Sequence, residues 1–102
     1  MLPANRMATH PGVILLEDFL KPARLSQAEL ARKLRISKNR LNEIIRGKRG
    51  VSPETAWKLA NYWKTSPEFW MNLQVAHDLT SVPRKKRAAH ARLSGQAFSR
   101  AV

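Results

Sequence analysis

Apolar residues return at the three- and four-residue spacing of a helix in five successive stretches, each preceded by a helix-start signal. In the first stretch Leu15, Leu16, Phe19 and Leu20 share a face, while Glu17 and Asp18 point away. This helix is predicted to start near His10, with Pro11 at the first helical position where a missing amide is harmless, and to end at Pro22. The second opens on Ser26 and Glu29, a capping box, flanked by Leu25 and Leu30 at the positions of a hydrophobic staple. Ala28, Ala31 and Leu34 give it an inner side; Arg32 and Lys33 give it an outer one. Ile36 and Leu41 repeat the staple around Ser37, so a third helix follows after a tight turn, buries Leu41, Ile44 and Ile45, and closes near Gly47.

Val51, Ser52, Pro53 and Glu54 open the fourth helix, in which Ala56, Leu59, Ala60 and Trp63 form a core stripe. Thr65, Ser66, Pro67 and Glu68 open the fifth, with Phe69, Leu73 and Ala76 expected inward and Trp70, Gln74 and His77 beside them. Strand alternation is missing from the pattern, so the predicted fold class is all-α: five helices with short connections around one modest core. Residues 1–9 read as a flexible lead-in, 10–79 as the domain, and 80–102 as a basic, flexible tail with a short helix around Ala88 to Leu93. Trp57, Tyr62, Trp63, Phe69 and Trp70 suit either an internal core or an interface between copies.

Charge changes this picture by its position. The chain of 102 residues has a formal net charge of +12. Residues 1–25 and 51–79 together balance five bases against five acids, whereas 26–50 hold eight bases against two acids and 80–102 hold six bases and no acid. Solubility alone would not gather charge into one element and one tail; a polyanionic partner would. The longest uninterrupted apolar run, Val13 to Leu16, falls far short of the roughly 20 residues of a membrane helix, and no apolar segment follows Arg6 as in a secretory signal. A cytoplasmic protein without a membrane partner is therefore expected. Lack of cysteine excludes disulfides and thiolate metal sites. His10, His77 and His90 have no metal-ligand spacing, and no phosphate-binding glycine loop or nucleophile motif occurs, so enzyme activity, metal and cofactor are not expected.

Ser26 to Gly50 thus reads as a helix-turn-helix, whose second helix enters the major groove of DNA with its N-terminal residues at base edges. Lysine donates to guanine acceptors, and asparagine matches the donor and acceptor on adenine. Lys38 and Asn39, with Asn42 and Glu43 on the same outer edge, are the candidate base readers. Gln27, Ser37, Arg40, Arg46, Lys48 and Arg49 are the candidate phosphate contacts.

From its serine-glutamine start to its glycine-lysine end, this element resembles the Xre-like superfamily of phage repressors and Cro, which implies a lambda-repressor-like fold. HPGVILLEDFL from His10, LNEIIRGKRGVSPETAWKLA from Leu41 and SPEFWMNLQVAHDL from Ser66 are similar to the HigA branch of bacterial antitoxins. SPEFWMNLQ is the most specific string, since generic helix-turn-helix domains do not need it. Such domains often place glycine in the turn where this chain has Arg35; a left-handed non-glycine costs on the order of 1 kcal/mol, so a shifted or slightly strained turn is expected. The resemblance implies a homodimer with Trp70, Leu73, Gln74 and His77 of the last helix at the contact, and double-stranded operator DNA in the chain's own promoter as a partner. It also implies a HigB-type toxin, a messenger-RNA-cleaving ribonuclease that the chain would neutralise in the bacterial cytoplasm. A stand-alone Xre-like regulator and a general basic RNA-associated protein are the alternatives.

Overall fold

The computed structural model describes residues 8–83 and Lys86; residues 1–7 and the rest of the expected tail lie outside the described residues. The described chain forms five helices and no strand. Helix α1 runs without a break through Pro11–Ile14, a π-helical stretch Leu15–Leu20, and Lys21–Ala23. It is followed by α2 (Gln27–Leu34), α3 (Lys38–Ile45), α4 (Pro53–Trp63) and α5 (Pro67–Ser81). None is long and apolar enough to cross a membrane.

Local chemistry sets every helix start. Side chains of Ser26, Ser37, Ser52 and Ser66 each accept the backbone amide three residues on, at 3.0 to 3.3 Å. Glu29 returns a bond to the Ser26 amide at 3.2 Å, completing the capping box. Caps of this kind each contribute about 1 kcal/mol. His10 caps α1 with an imidazole: Nδ1 accepts the Gly12 amide at 2.9 Å. The helix ends are less expected, since Arg24, Arg35 and Lys64 all adopt the left-handed conformation. In each case the next amide reaches five residues back, as Ile36 does to the Ala31 carbonyl at 3.0 Å. These bonds satisfy carbonyls that a helix end leaves open and offset the left-handed cost. The turn is therefore not shifted; Arg35 takes the left-handed position itself, at φ 58°.

Pro22 does not end α1. The helix passes through it to Ala23, and Arg24 closes the last turn. A proline lacks an amide and crowds the carbonyl four residues back, which normally stops a helix. Here the turns before it are widened, with the Lys21 amide bonded to the Leu16 carbonyl five residues earlier, so the usual four-residue ladder is already interrupted where the proline arrives.

The core is built by Leu15, Leu20, Leu30, Leu41, Ile44 and Leu59, all essentially sealed from solvent. The aliphatic edge of α3 lies inside it, and the N-terminal turn of α1 crosses the end of α3 backbone to backbone. A Cβ on Gly12 would stand 2.0 Å from the Ile44 carbonyl oxygen, so no other residue fits without moving α3.

The inward face of α5 is rotated from the expected one. Trp70 is 0% exposed and Gln74 is buried, whereas Phe69 is exposed and Leu73 and Ala76 are only half-buried. The Trp70 indole can enter the core because Nε1 donates to the Thr65 hydroxyl at 2.8 Å, while its ring packs 5.0 Å from Phe19. Phe19 also meets Trp63, at 5.2 Å. Trp70 and Gln74 are thus covered by their own chain and offer nothing to a second copy; Trp57, 59% exposed, and Phe69, 38% exposed, are the aromatics left outside. His77 is also engaged, donating from Nδ1 to the Ala8 carbonyl at 2.9 Å. The Ala8 amide donates to the Thr80 hydroxyl at 2.6 Å, so the folded unit reaches upstream of the expected boundary at residue 10 and beyond residue 79 to Ser81.

The His10 ring meets His77 edge-on at 4.7 Å. Burial and then the neighbouring His77 hold the His10 pKa below its ordinary 6.5, with Asp78 opposing them. A histidine with a lowered pKa takes up its proton more readily in the unfolded chain. Its contribution is complete above the ordinary value and is lost as pH falls below it.

Two outcomes follow for stability. Gly12→Ala should lower it by at least the roughly 1 to 3 kcal/mol of an overpacked core, read by urea denaturation. His10→Asn, which keeps an acceptor for the Gly12 amide but cannot titrate, should flatten the fall in stability between about pH 7 and 5.

Candidate nucleic-acid interface

The turn at Arg35 and Ile36 and the Ser37 cap point the first turn of α3 away from the core, leaving Lys38 and Asn39 exposed at its tip. Along the same outer edge the side chains are tied to neighbours. Asn42 Nδ2 donates to Gln27 Oε1 at 3.1 Å, linking α3 to the start of α2. Glu43 Oε1 accepts from both Nε and Nη2 of Arg49, each at 3.1 Å. Arg40 turns inward, half-buried, with Nη2 donating to the Thr55 hydroxyl at 3.3 Å and with its buried Nε unpaired.

After α3 the chain folds back over the helix end. Gly47, at φ 76°, supplies the left-handed residue, and the amides of Lys48 and Arg49 both donate to the Glu43 carbonyl, at 2.8 and 3.2 Å. This loop leaves Arg46, Lys48 and Arg49 exposed beside the outer edge of α3. The Arg49–Glu43 pair is itself partly exposed, so its energy is small and its effect is on direction. At the start of α2, hydrogen bonds from the Ser26 side chain and backbone hold the Glu29 carboxyl below its ordinary 4.5.

The residues expected from sequence therefore divide. Lys38 and Asn39 are unencumbered, as base readers need to be. Asn42 directs its Nδ2 to Gln27 and Glu43 its Oε1 to Arg49, which orients both side chains and leaves Asn42 Oδ1 and Glu43 Oε2 for other partners. Among the phosphate candidates, Arg46, Lys48 and Arg49 project outward; Gln27 keeps an amide donor after Oε1 is used, and Ser37 keeps its hydroxyl proton after capping α3. Arg40 is the least available of them. Sequence reasoning missed Thr55, which receives both Arg40 and the Ser52 hydroxyl, the latter at 3.1 Å. A signal was present: Thr55 stands three residues after its cap, as Glu29 does after Ser26. Among the described residues no cluster of three His, Asp or Glu side chains could hold a metal ion.

The family model described as helix-turn-helix matches residues 16–70. The chain is 42% identical over 81 residues to virulence-associated protein I of Dichelobacter nodosus, spanning 79% of this chain and 75% of that protein. It is 39% identical over 87 residues to the uncharacterized HTH-type transcriptional regulator YbaQ of Escherichia coli K12, spanning 85% and 77% of the two chains. Among solved structures, Pseudomonas aeruginosa antitoxin HigA with the higBA promoter superposes with a TM-score of 0.69 at 36% identity, over 93% of this chain and 95% of that one.

Proposed function

Since the chain belongs to the Xre-like helix-turn-helix family, alongside HigA antitoxins, we propose that it is a sequence-specific DNA-binding autorepressor that also neutralises a HigB-type ribonuclease toxin. The observation that carries the DNA half is the pair Lys38 and Asn39, held out on a clamped helix and flanked by the cations of the 46–50 loop. Lys38 donates to a guanine edge and Asn39 pairs with an adenine edge. Gln27, Ser37, Arg46, Lys48 and Arg49 bind phosphates and fix register; Asn42 and Glu43 orient Gln27 and Arg49, and Arg40 braces α3 on α4. Two copies place their α3 helices in successive major grooves about 34 Å apart, which calls for a roughly palindromic operator. With Trp70 and Gln74 covered, exposed Val75 and Leu79 on α5 are the better-placed dimer contacts. Occupied promoter DNA is repressed DNA, and the bacterial cytoplasm is where this happens.

The likeness to the HigA structure and to antitoxin HigA-1 of Vibrio cholerae supports the toxin half. Similarity to an HTH-type transcriptional regulator favours a second reading, a stand-alone repressor without a toxin. Purification from the native host separates them: a small basic ribonuclease should accompany the chain, and its absence, with no toxin-sized neighbouring gene, would leave the second reading.

Alanine at Lys38 or Asn39 should cost about 1 to 3 kcal/mol of operator binding and relax preference at particular base pairs. Alanine at Lys48 should weaken all sequences alike and flatten the salt dependence by about one unit. Fluorescence anisotropy on the chain's own promoter checks both, with structured RNA as competitor; RNA that competes equally would favour a general RNA-associated protein.

A further inference from the structure

The string that best distinguishes this chain, SPEFWMNLQ, has no part in the DNA contacts just assigned. Its tryptophan, Trp70, seats α5 in the core; its last residue, Gln74, does something else. Gln74 is buried, and both ends of its amide are in use: Oε1 accepts the Val51 amide at 2.7 Å, and Nε2 donates to Asp78 Oδ1 at 2.9 Å. Gly50 presses against the same group, since a Cβ there would stand 3.0 Å from the Gln74 amide carbon and oxygen. Its φ is not left-handed, so it is this close approach, and not the turn, that calls for glycine.

Val51 is where the chain leaves the loop bearing Arg46, Lys48 and Arg49. We propose that Gln74 is a positioning residue for DNA binding, pinning the downstream end of that loop so that α5 sets the pose in which its cations meet phosphates. The upstream end is held by α3, through the amides of Lys48 and Arg49 on the Glu43 carbonyl. Fastened at both ends, the loop presents its charges at fixed spacing and avoids the ordering cost that a loose loop bears on binding. The role rests on the DNA-binding reading above.

The direction of the hydrogen bonds from Val51 through Gln74 to Asp78 supplies the test. Gln74→Leu fills the space and deletes the acceptor. Gln74→Glu keeps an acceptor for Val51 but sets two carboxylates face to face, and adding Asp78→Asn restores a donor between them. Binding to a duplex of about 30 base pairs from the chain's own promoter, enough for two half-sites one turn apart, is measured across a salt series. Protection of the Val51 amide is followed by hydrogen exchange in the full chain.

Both single variants should weaken binding roughly two- to thirtyfold, the span over which such couplings act, and flatten the salt slope by about one unit for each phosphate no longer neutralised. Val51 protection should fall in both, and the Gln74→Glu/Asp78→Asn pair should recover affinity and slope. Thr65→Val, which removes the Trp70 indole acceptor away from the loop, should leave the slope unchanged. The role is overturned if Gln74→Leu keeps the wild-type slope, if Thr65→Val flattens it equally, or if the double variant is no better than Gln74→Glu. Failure of the wild-type chain to bind the duplex overturns the DNA reading, and the positioning role with it; wild-type binding that Gln74→Leu retains in full overturns the role alone.

Discussion

An eight-residue helix has no stability of its own in water, so the recognition helix α3 exists only while the rest of the molecule holds it. The grip is the contact of Gly12 on the Ile44 carbonyl, with Leu41, Ile44 and Ile45 sunk behind it. Everything on the outer edge inherits its direction from that grip. Lys38 and Asn39 project because the aliphatic edge cannot turn away from the core, and the 46–50 loop starts where α3 ends.

Around this clamp the charges are arranged for low ordering cost. Glu43 directs Arg49, and Asn42 directs Gln27, each bond joining different elements of the helix-turn-helix. Exposed pairs of this kind add little stability. What they remove is rotamer freedom that would otherwise be lost on binding. Arg40 goes further, trading solvent for the Thr55 hydroxyl and so tying α3 to the first turn of α4.

What could be read from the sequence was whatever depends on near neighbours. The serine caps and most of the core faces of α1 to α4 are local, so residue spacing sufficed there, although Ala28, expected on the inner side of α2, is exposed; the same local pattern announced the helix-turn-helix and the exposure of Lys38 and Asn39. Features set by distant partners were not legible. Trp70 and Gln74 look like flank residues until Phe19 and Val51 are brought to them, and Gln74 lies 23 residues from the amide it accepts. The passage of α1 through Pro22 depends on a widened turn that no single residue signals. The bonds of Asn42 and Glu43 to Gln27 and Arg49 were not legible either, because those partners, 15 and 6 residues away, come near only in the fold.

Backbone meets backbone where α1 crosses α3, and this separates two things that evolution must often change together. The crossing meets backbone atoms of Ile44 and Ile45, so Lys38 and Asn39 at the exposed tip of α3 can be exchanged without disturbing it, whereas Arg40 and Asn42 also tie the helix to its neighbours. A scaffold of this kind can diversify its targets while its interior stays fixed, with the glycine at position 12 as the residue least free to drift.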